Sequence, residues 1–355
     1  MQPMTKLYTT IRSRRPTDED LPMLKSNPTR RRMIAITAAT AATSALLRSD
    51  RVARADEPVH WRGTALGAQV SIEIHHPDRA YAERLVRDCL SEVRRLEGQF
   101  SLYRIDSSIC ALNRVGVLVS PDPDMVALLR VSLHFGDLTG GAFDPTVQPL
   151  WSLYADHFSS DQPDPEGPPK ERLAAALIKV DRRGLLVGTD RVALVKHGAA
   201  VTLNGIAQGY ATDRVVDMLR TAGLSTTLVD MGEIRAIGTR PDGAPWQVGL
   251  ADPDRHGAFT ETIDLADRAV ATTAGAGFRF DRAGRFTHLF DPATGRSPML
   301  YRTISVIAPT ATEADALSTA FSLMPLSRIE AVVAGRPAVQ VRMVTASGES
   351  IVRGG

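Results

Sequence analysis

The chain has 355 residues, with 42 basic and 40 acidic side chains and a formal net charge of +2. Residues 1–55 hold 11 of the basic and 4 of the acidic side chains, so the rest of the chain carries 31 and 36, a balance of about −5. The small basic excess belongs to the N-terminal segment, and nothing in the charge pattern indicates nucleic acid or an anionic membrane as a partner. The remaining ~300 residues can bury a large core, in one compact unit or in two tightly packed lobes.

The N-terminal segment has the layout of an export signal. Arg30–Arg32 precede a weakly apolar run from Met33 to Leu47, and Ala53-Arg54-Ala55 resembles a cleavage site. Paired arginines favour the twin-arginine route, and a run of about 15 residues is shorter than the ~20 that a membrane span needs. We therefore predict a twin-arginine signal peptide over residues 1–55 and a periplasmic mature protein over 56–355 without a membrane span. An anchoring helix that stays attached is the alternative.

Strand-like and helix-like patterns follow one another along the mature chain. Trp61–Ile74 alternates apolar and polar residues and predicts a strand, whereas Arg79–Phe100 has the apolar stripe of a long amphipathic helix. A second helix is predicted over Pro123–Leu138, because consecutive glycines follow it. Residues 156–169 are rich in proline and acids, which predicts an exposed, mobile loop. A hairpin is expected to turn at residues 282–284.

The mixed order of these elements predicts an α+β fold, in which mixed or antiparallel sheets are flanked by helices. The chain has two cysteines, Cys89 and Cys110, both within helix-like patterns. A disulfide between them is possible in an oxidising periplasm, but the patterns favour two buried free thiols. No framework of disulfides is therefore expected to hold this fold together.

A short segment near the C-terminus combines a carboxylate with a hydroxyl. Asp315 and Thr319 are four residues apart at the predicted start of a helix, which places both oxygens on one helix face. The strand-like stretch Thr303–Ile307 before them directs them to the end of a sheet, where open α/β folds bind ligands. Hard oxygen ligands of this kind suit Mg²⁺. The alternative is an exposed aspartate and a threonine bonded to its own helix.

Four further clusters lie at the ends of predicted elements: GGAFDPT (Gly140–Thr146), LNGIAQGYATD (Leu203–Asp213), VATTAGAG (Val270–Gly277) and THLFDPATG (Thr287–Gly295). In the second cluster, the chain is expected to change from strand to helix through Gly205 and Gly209, where the backbone can approach a phosphate or a cation. The spacing fits neither a GxGxxG motif nor a P-loop. Taken singly, each cluster has an ordinary turn as its alternative, and His288 could be a structural histidine.

In chain order these clusters, together with FSLYRIDSSICALN, MGEIRAIG and ADALST, form a series of motifs. The series closely resembles the ApbE family, the FAD:protein FMN transferases, over about Trp61–Thr345. The resemblance implies that FAD is the substrate and Mg²⁺ the cofactor. It further implies that FMN is attached through a phosphoester to a Thr or Ser of a target protein, and that AMP is released.

The resemblance also assigns roles to individual residues. The metal ligands fall on Asp315, Thr319 and the backbone carbonyl of Gly205. His288 corresponds to the histidine that could take the proton from the attacking hydroxyl, a role that suits a side chain whose unperturbed pKa lies near neutral pH. The positions expected to contact the flavin nucleotide are Leu66, Tyr103, Ala142, Phe143, Asp144, Thr202, Gln208, Thr273 and Leu289.

Three single positions and one short segment depart from the family pattern. Thr202 and Gln208 are neutral where the family commonly has charged residues, which suggests altered nucleotide contacts. Thr312 stands where the family often has an acid, which puts a two-metal arrangement in doubt. The sequence Met231-Gly232-Glu233 replaces two glycines and an aspartate.

Within the family, the leader together with TLNGIAQGY and FDPTVQPLW resembles the NosX-type branch. The target would then be a membrane-bound, NosR-type electron-transfer protein, and Rnf- or Nqr-type flavoprotein subunits are the other candidates. Two other functions remain open for the chain. It could be a periplasmic FAD-binding or carrier protein without turnover, or a pyrophosphatase that cuts FAD to FMN and AMP.

Overall fold

The computed structural model describes residues 58–252, 255, 258–275 and 277–355. The predicted signal peptide lies outside the described residues. Within those ranges, no helix combines the length and the apolar character that a membrane crossing requires. The described residues form eight α-helices and thirteen strands, which agrees with the predicted α+β class.

The strands pair antiparallel throughout the described part of the chain. Eight of them form the main sheet in the order β1-β2-β6-β7-β10-β11-β12-β13, three form a small sheet in the order β3-β5-β4, and β8 and β9 form a separate ribbon. Their bounds are β1 Val59–Ala65, β2 Ala68–Ile74, β3 Val117–Val119, β4 Leu185–Val187, β5 Arg191–Leu194, β6 Thr227–Asp230, β7 Ile234–Ile237, β8 Trp246–Ala251, β9 Phe259–Leu265, β10 Ala269–Ala274, β11 Tyr301–Ala308, β12 Gln340–Thr345 and β13 Ser350–Gly354.

Capping side chains mark the start of the two helices that the sequence predicts. The two predicted helices have the expected bounds, because Asp78 and Asp122 each accept a backbone N–H at the N-terminal end. Gly140 and Gly141, both with positive φ, follow the second of them. The helix bounds are α1 Arg79–Phe100, α2 Ser108–Val115, α3 Pro123–Leu138, α4 Gln148–Phe158, α5 Lys170–Leu177, α6 Ala207–Thr221, α7 Ala311–Phe321 and α8 Leu326–Ala334.

The predicted strand Trp61–Ile74 is a hairpin rather than one strand. Leu66 and Gly67 have φ values of 50° and 75° and form a two-residue turn between β1 and β2. The apolar positions are odd-numbered up to Ala65 and even-numbered from Ala68, so the alternation changes phase at the turn, a signal that the single-strand prediction overlooked. Leu66 is held in this conformation partly by its backbone N–H, which donates to Glu97 Oε1 at 2.6 Å.

Of three other predicted segments, two differ from the prediction and one agrees with it. Residues 156–158 belong to α4 rather than to the proline-rich loop, because this helix buries Tyr154 and His157. Most residues of 159–169 are exposed, and the mobility of this segment stays a prediction. Val270–Ala274, interpreted as part of a turn, form strand β10. The hairpin predicted at 282–284 is present, with a single bridge between Arg279 and Thr287.

One large hydrophobic core joins the helical part of the chain to the main sheet. It contains Leu112 of α2 and Leu128 of α3 together with Val306 of β11 and Phe321 of α7, all fully buried. The two predicted lobes are therefore packed on a shared core. The cysteines are both free: Cys89 is buried in a second core, and Cys110 is partly buried against the first.

Candidate functional site

A cleft of about 980 Å³, including its open mouth, lies where several loops meet the end of β10 and the C-terminal half of α7. Nine of the thirteen predicted site residues line it: Ala142, Phe143, Asp144, Thr202, Gly205, Thr273, His288, Leu289 and Thr319. Helix α4 contributes one further wall, with Gln148 and Trp151. Segments that are far apart in the sequence therefore meet at one cleft.

Helix α7 carries two of the predicted metal ligands, of which Thr319 lines the cleft, whereas Asp315 is buried and is not among the lining residues. Asp315 has no solvent exposure, and its Oδ2 accepts the backbone N–H of Gly209 at 3.0 Å. Thr319, one turn later, directs its Oγ1 to the backbone carbonyl oxygen of Gly205 at 3.4 Å. The alternative of an exposed aspartate and a threonine bonded to its own helix does not describe this arrangement.

Two glycines let the loop before α6 approach α7 closely. A Cβ atom at Gly205 would lie 3.0 Å from Thr319 Oγ1, and one at Gly209 would lie 2.3 Å from the carbonyl oxygen of Ala311. Gly209 lies inside α6, so the prediction that the chain changes from strand to helix at this residue is wrong. Its small size serves the contact between the two helices, and this contact holds the Gly205 carbonyl beside Thr319.

The N-terminus of α7 is held by an acid from α6. Asp213 Oδ1 accepts the N–H of Ala311 at 2.8 Å and pairs with Arg235 Nη1 at 2.6 Å. Its Oδ2 accepts the N–H and the hydroxyl of Thr312 at 2.8 and 2.6 Å. Thr312, where the resemblance leads us to expect an acid, is thus a hydrogen-bond donor. A carboxylate at position 312 would face the carboxylate of Asp213. Repulsion between the two negative charges gives a physical reason why this chain departs from the family pattern at this position.

The donors present at this point fit a hard divalent cation. A backbone carbonyl, a hydroxyl and a buried carboxylate are oxygen ligands of the kind that Mg²⁺ binds, and a phosphate or water can complete its shell. Among the described residues, no group of three or more His, Cys, Asp and Glu side chains is placed to hold a metal. Gly205, Asp315 and Thr319 offer only one carboxylate between them, so they do not form such a group.

His288 lies in the same cleft, and its ring contacts a backbone carbonyl. Its Nδ1 is 3.3 Å from the carbonyl oxygen of Phe278, which can only accept, so Nδ1 carries the proton in this contact. In the neutral ring Nε2 is then the basic nitrogen, as proton transfer from a bound hydroxyl would require. The contact with Phe278 also orients the ring.

Asp144 is held in a tight turn at the edge of the cleft. Its Oδ1 accepts both the N–H and the hydroxyl of Thr146, at 2.7 and 2.6 Å. Burial raises the pKa of Asp144, and the hydrogen bonds from Thr146 and the nearby Arg182 charge offset part of that rise. The turn also presents Ala142 and the buried Phe143 to the cleft, so this segment supplies both an acid and apolar surface.

Thr273, at the end of β10, connects the sheet to α7. Its Oγ1 forms a hydrogen bond of 2.8 Å with Ser318 Oγ, and Ser318 in turn donates to the backbone carbonyl of Asp315. The predicted contact residue Thr273 is therefore next to the α7 segment that carries the predicted metal ligands. The bond gives Thr273 a structural role as well as a place on the cleft wall.

Tyr103 is not among the residues that line the cleft, but it is connected to one of them. Its side chain is 51% exposed, so it is not a core tyrosine. Burial of its hydroxyl raises its pKa, and a hydrogen bond with the Asn204 side chain acts in the opposite direction. Asn204 lines the cleft, and the exposed ring of Tyr103 is available to a ligand that extends from it.

Leu66 and Gln208 lie together, outside the cleft wall. Gln208 Nε2 donates to the Leu66 carbonyl oxygen at 3.2 Å, while Gln208 Oε1 is buried and has no hydrogen-bond partner among the described residues. Gly232, which has φ of 100°, lies against this amide, and a Cβ there would be 2.9 Å from Gln208 Cδ. Gln208 and Gly232, the latter in the departing segment Met231-Gly232-Glu233, are therefore neighbours, and a bulkier residue at either would displace the other.

We expect Asp230→Asn, beside this group, to stabilise the protein more at pH 8 than at pH 5. Burial raises the pKa of Asp230 from its ordinary 3.8 to about 7, while the hydrogen bond from the Gly232 N–H acts to lower it. Because the pKa is higher in the folded state, the contribution of this carboxyl to stability is complete below pH ~4 and is lost as the pH rises through about 7. Asparagine does not ionise and can still accept from Gly232.

The advantage of Asp230→Asn in free energy of unfolding should grow by about 1–3 kcal/mol between pH 5 and pH 8. Urea denaturation at both pH values measures it. The exposed Asp88→Asn controls for the loss of a negative charge. An advantage that is the same at both pH values would show that Asp230 is already ionised at pH 5.

The sequence interpretation missed part of the cleft wall. Asn204 precedes Gly205 in a motif that was recognised, so its position could have been inferred. Trp151, on α4, is the last residue of the motif FDPTVQPLW, so its position could also have been inferred, whereas Leu323 lies one turn beyond ADALST, just after α7. Helical periodicity could have found Leu323 only if the inward-facing side of α7 had been known.

Comparison with known proteins agrees with the order of motifs and with the fold. The profile of the ApbE family matches residues 66–343. The FAD:protein FMN transferase of Escherichia coli K12 is 31% identical over 262 residues, which cover 70% of this chain and 73% of that protein. The crystal structure of the ApbE protein from Thermotoga maritima superposes with a TM-score of 0.74 at 28% identity, covering 84% of this chain and 97% of the other. The flavin transferase ApbE of Vibrio cholerae gives 0.72 at 26% identity, with coverage of 84% and 97%.

The fold is thus that of a flavin transferase. The chain belongs to the ApbE family, whose characterised relatives are FAD:protein FMN transferases, and it is an enzyme of this kind.

Proposed function

We propose that the protein transfers FMN from FAD to a Thr or Ser hydroxyl of a target protein with the help of Mg²⁺, and releases AMP. The observation that carries the proposal is that Gly205, Thr319 and His288 line one cleft, while the buried Asp315 lies one helical turn before Thr319 on α7 and accepts the Gly209 N–H. This arrangement combines oxygen ligands for a cation with a base for a hydroxyl. Family membership supplies the substrate, FAD.

The chemical step joins the hydroxyl oxygen of the target to the phosphorus of the FMN half. The bond between that phosphorus and the bridging oxygen breaks, and AMP leaves with the bridging oxygen. His288 Nε2 takes the proton of the attacking hydroxyl, while the Phe278 carbonyl keeps the other ring nitrogen protonated and the ring oriented. Atoms and charge balance without an oxidant or a reductant.

Gly205, Asp315 and Thr319 would hold the metal ion. When bound, Mg²⁺ supplies neutralisation of the pyrophosphate charge, which is the main requirement in phosphoryl transfer. Asp213 and Arg235 keep the start of α7 against α6, and the Gly209 N–H fixes the Asp315 carboxylate. The acid and the hydroxyl are therefore preorganised before substrate binds, so the site needs little rearrangement.

The setting of the reaction is the periplasm, reached through the twin-arginine route. Arg30–Arg32 and the short apolar run that follows them support this part of the proposal. A processed chain in the periplasmic fraction, lost when Arg30–Arg32 are changed to lysine, is the expected result. The motifs TLNGIAQGY and FDPTVQPLW favour the NosX-type branch and a NosR-type acceptor over Rnf- or Nqr-type subunits.

One assay tests the proposed function against its two alternatives. The protein without residues 1–55 is incubated with FAD, Mg²⁺ and a candidate acceptor domain, and both AMP and covalent FMN are measured. Covalent flavin on the acceptor with an equal amount of AMP is the expected result. AMP without labelling would instead indicate a pyrophosphatase, and FAD binding without either product would indicate a carrier.

The acceptor is identified by loss of its flavin. In the native cell, the protein that carries covalent FMN should lose it when this gene is deleted and regain it when the gene is restored. A flavinylated NosR-type protein that disappears on deletion would support the branch assignment. Loss of flavin from an Rnf- or Nqr-type subunit alone would contradict it.

A further inference from the structure

The small sheet β3-β5-β4 carries apolar side chains on both of its faces. Its inner face, with Leu185 and Val192, is buried in the main hydrophobic core. The alternate residues point to the opposite side of the sheet, and they form an outer patch of Val117, Val119, Leu186, Ala193 and Val195. Five of the eleven exposed large apolar side chains of the described residues lie on this sheet or within two residues of it. Such a concentration on one face marks an interaction surface.

The strand pairing joins the outer patch into one continuous surface. Val117 and Leu186 lie on either side of Ala193, because each is its partner in the ladder, and neighbouring strands are about 4.8 Å apart. Val119 is 70% exposed, Leu186 54% and Val195 65%. The patch is therefore an apolar sheet face that the described part of the chain leaves open to solvent.

Basic side chains border the outer patch. Four of them lie within three residues of it in the chain: Arg114, Arg183, Arg191 and Lys196. Two acids offset part of this charge, since Asp190 pairs with Arg191 at 3.4 Å and Asp181 pairs with Lys196 at 3.0 Å. The border keeps a positive surplus, although residues 56–355 together carry about −5. A partner of this surface should therefore be acidic where it meets the border.

The outer patch lies close to the cleft. Asn113, on the helix that leads into β3, forms hydrogen bonds of 2.8 and 2.6 Å with both backbone groups of Val201, which precedes the cleft residue Thr202. Seven residues of chain connect Val195 to Thr202, so their Cα atoms are at most about 25 Å apart. A domain of about 100 residues has a radius of gyration of about 13 Å. One such domain can cover the patch and present a residue to the cleft.

We propose that the outer patch docks the acceptor protein, through an acceptor face that is apolar at its centre and acidic at its rim. This step rests on the proposed function. A second copy of the chain fits less well, because an isologous contact would bring the same arginines together. None of the five patch residues is aromatic, whereas surfaces that enter the membrane interface use Trp or Phe. An apolar centre with arginines around it is instead typical of contacts between proteins.

Val119→Ser together with Leu186→Ser tests the apolar centre. The probe is the acceptor domain of a NosR-type protein, and its labelling by the protein without residues 1–55 is followed at saturating FAD and Mg²⁺. We expect KM for the acceptor domain to rise about 10- to 100-fold, because two aliphatic contacts are lost. Since neither residue lines the cleft, kcat and Kd for FAD should stay within about twofold of the wild-type values.

Arg114→Glu together with Arg191→Glu tests the basic border. KM for the acceptor domain should rise at least about 10-fold at low salt, and the effect should shrink to about threefold or less in about 0.5 M NaCl, because salt screens exposed charges. Val352→Ser and Arg62→Glu are matched controls, since both side chains are exposed and lie on β13 and β1, the edge strands of the main sheet. Both controls should keep the wild-type KM. Thermal unfolding checks that all variants are folded.

Direct binding of an acceptor domain without its acceptor hydroxyl separates this inference from the transferase proposal. If Kd rises in both double variants while the wild type labels no acceptor, the docking surface stands and the transferase proposal fails. Normal labelling with unchanged KM and Kd in both double variants would overturn the docking surface alone, and so would a wild type that does not bind the domain.

Two further measurements test other occupants of the outer patch. A wild-type dimer in sedimentation that Val119→Ser with Leu186→Ser dissociates would assign the patch to a second copy. Flotation with vesicles of phosphatidylglycerol and phosphatidylethanolamine that the same variant abolishes would assign it to a lipid surface. Either result would overturn the inference.

Discussion

Asp315→Ala is expected to abolish FMN transfer in buffer that is saturated with Mg²⁺. The carboxylate is the one charged group in the proposed ligand set, and without it the remaining carbonyl and hydroxyl hold a divalent cation poorly. The pyrophosphate charge would then not be neutralised in the transition state. Transfer of labelled FMN to the acceptor domain is the measurement. Normal transfer by this variant would exclude the metal site on α7.

Two further variants make this result interpretable. Alanine leaves the N–H of Gly209 without its acceptor, a loss of about 1–3 kcal/mol in stability. Asp315→Asn keeps an oxygen for that bond and removes only the charge, so its transfer rate should still fall by at least about 10²-fold. Asp252→Asn changes a similarly buried carboxylate, which pairs with Arg255 away from the cleft, and should transfer FMN at the wild-type rate.

His288→Ala is expected to lower the rate of transfer by about 10²- to 10⁴-fold, the usual contribution of a general base. FAD binding should remain measurable, because the metal ligands and the other walls of the cleft are unchanged. Single-turnover labelling with excess enzyme reports the chemical step, and calorimetry reports FAD affinity. A variant that loses FAD binding but keeps its rate at saturating FAD would identify His288 as a binding residue instead.

The exposed His134 on α3 provides the control for this substitution. It is not among the residues that line the cleft, and His134→Ala should keep both the rate and the FAD affinity. A second test replaces the acceptor hydroxyl with water. If His288 takes the proton of the attacking hydroxyl, hydrolysis of FAD by water at the same site should also slow in His288→Ala. Unchanged hydrolysis with slow transfer would mean that His288 positions the acceptor protein.

Much of the local structure could be predicted from the sequence. The bounds of α1 and α3 follow from an apolar stripe and from acidic N-cap residues, because these signals act within one or two helical turns. The turn at Leu66 was missed because leucine is an unusual residue at positive φ, although the alternation of apolar residues changes phase there. The Gly209 position was misjudged because its role is to let two helices approach each other.

By itself, the sequence determined the family, the order of the motifs and the chemical types of the candidate site residues, because these are properties of single segments and their spacing. Only the tertiary structure decided which of these residues meet. Asp315 is buried because α6 packs on it, Thr319 faces Gly205 because a glycine allows that contact, and Leu66 and Gln208 lie together outside the cleft wall. Each of these contacts joins residues more than 100 positions apart. Their geometry is set by the packing of helices on a shared core, which no local pattern encodes.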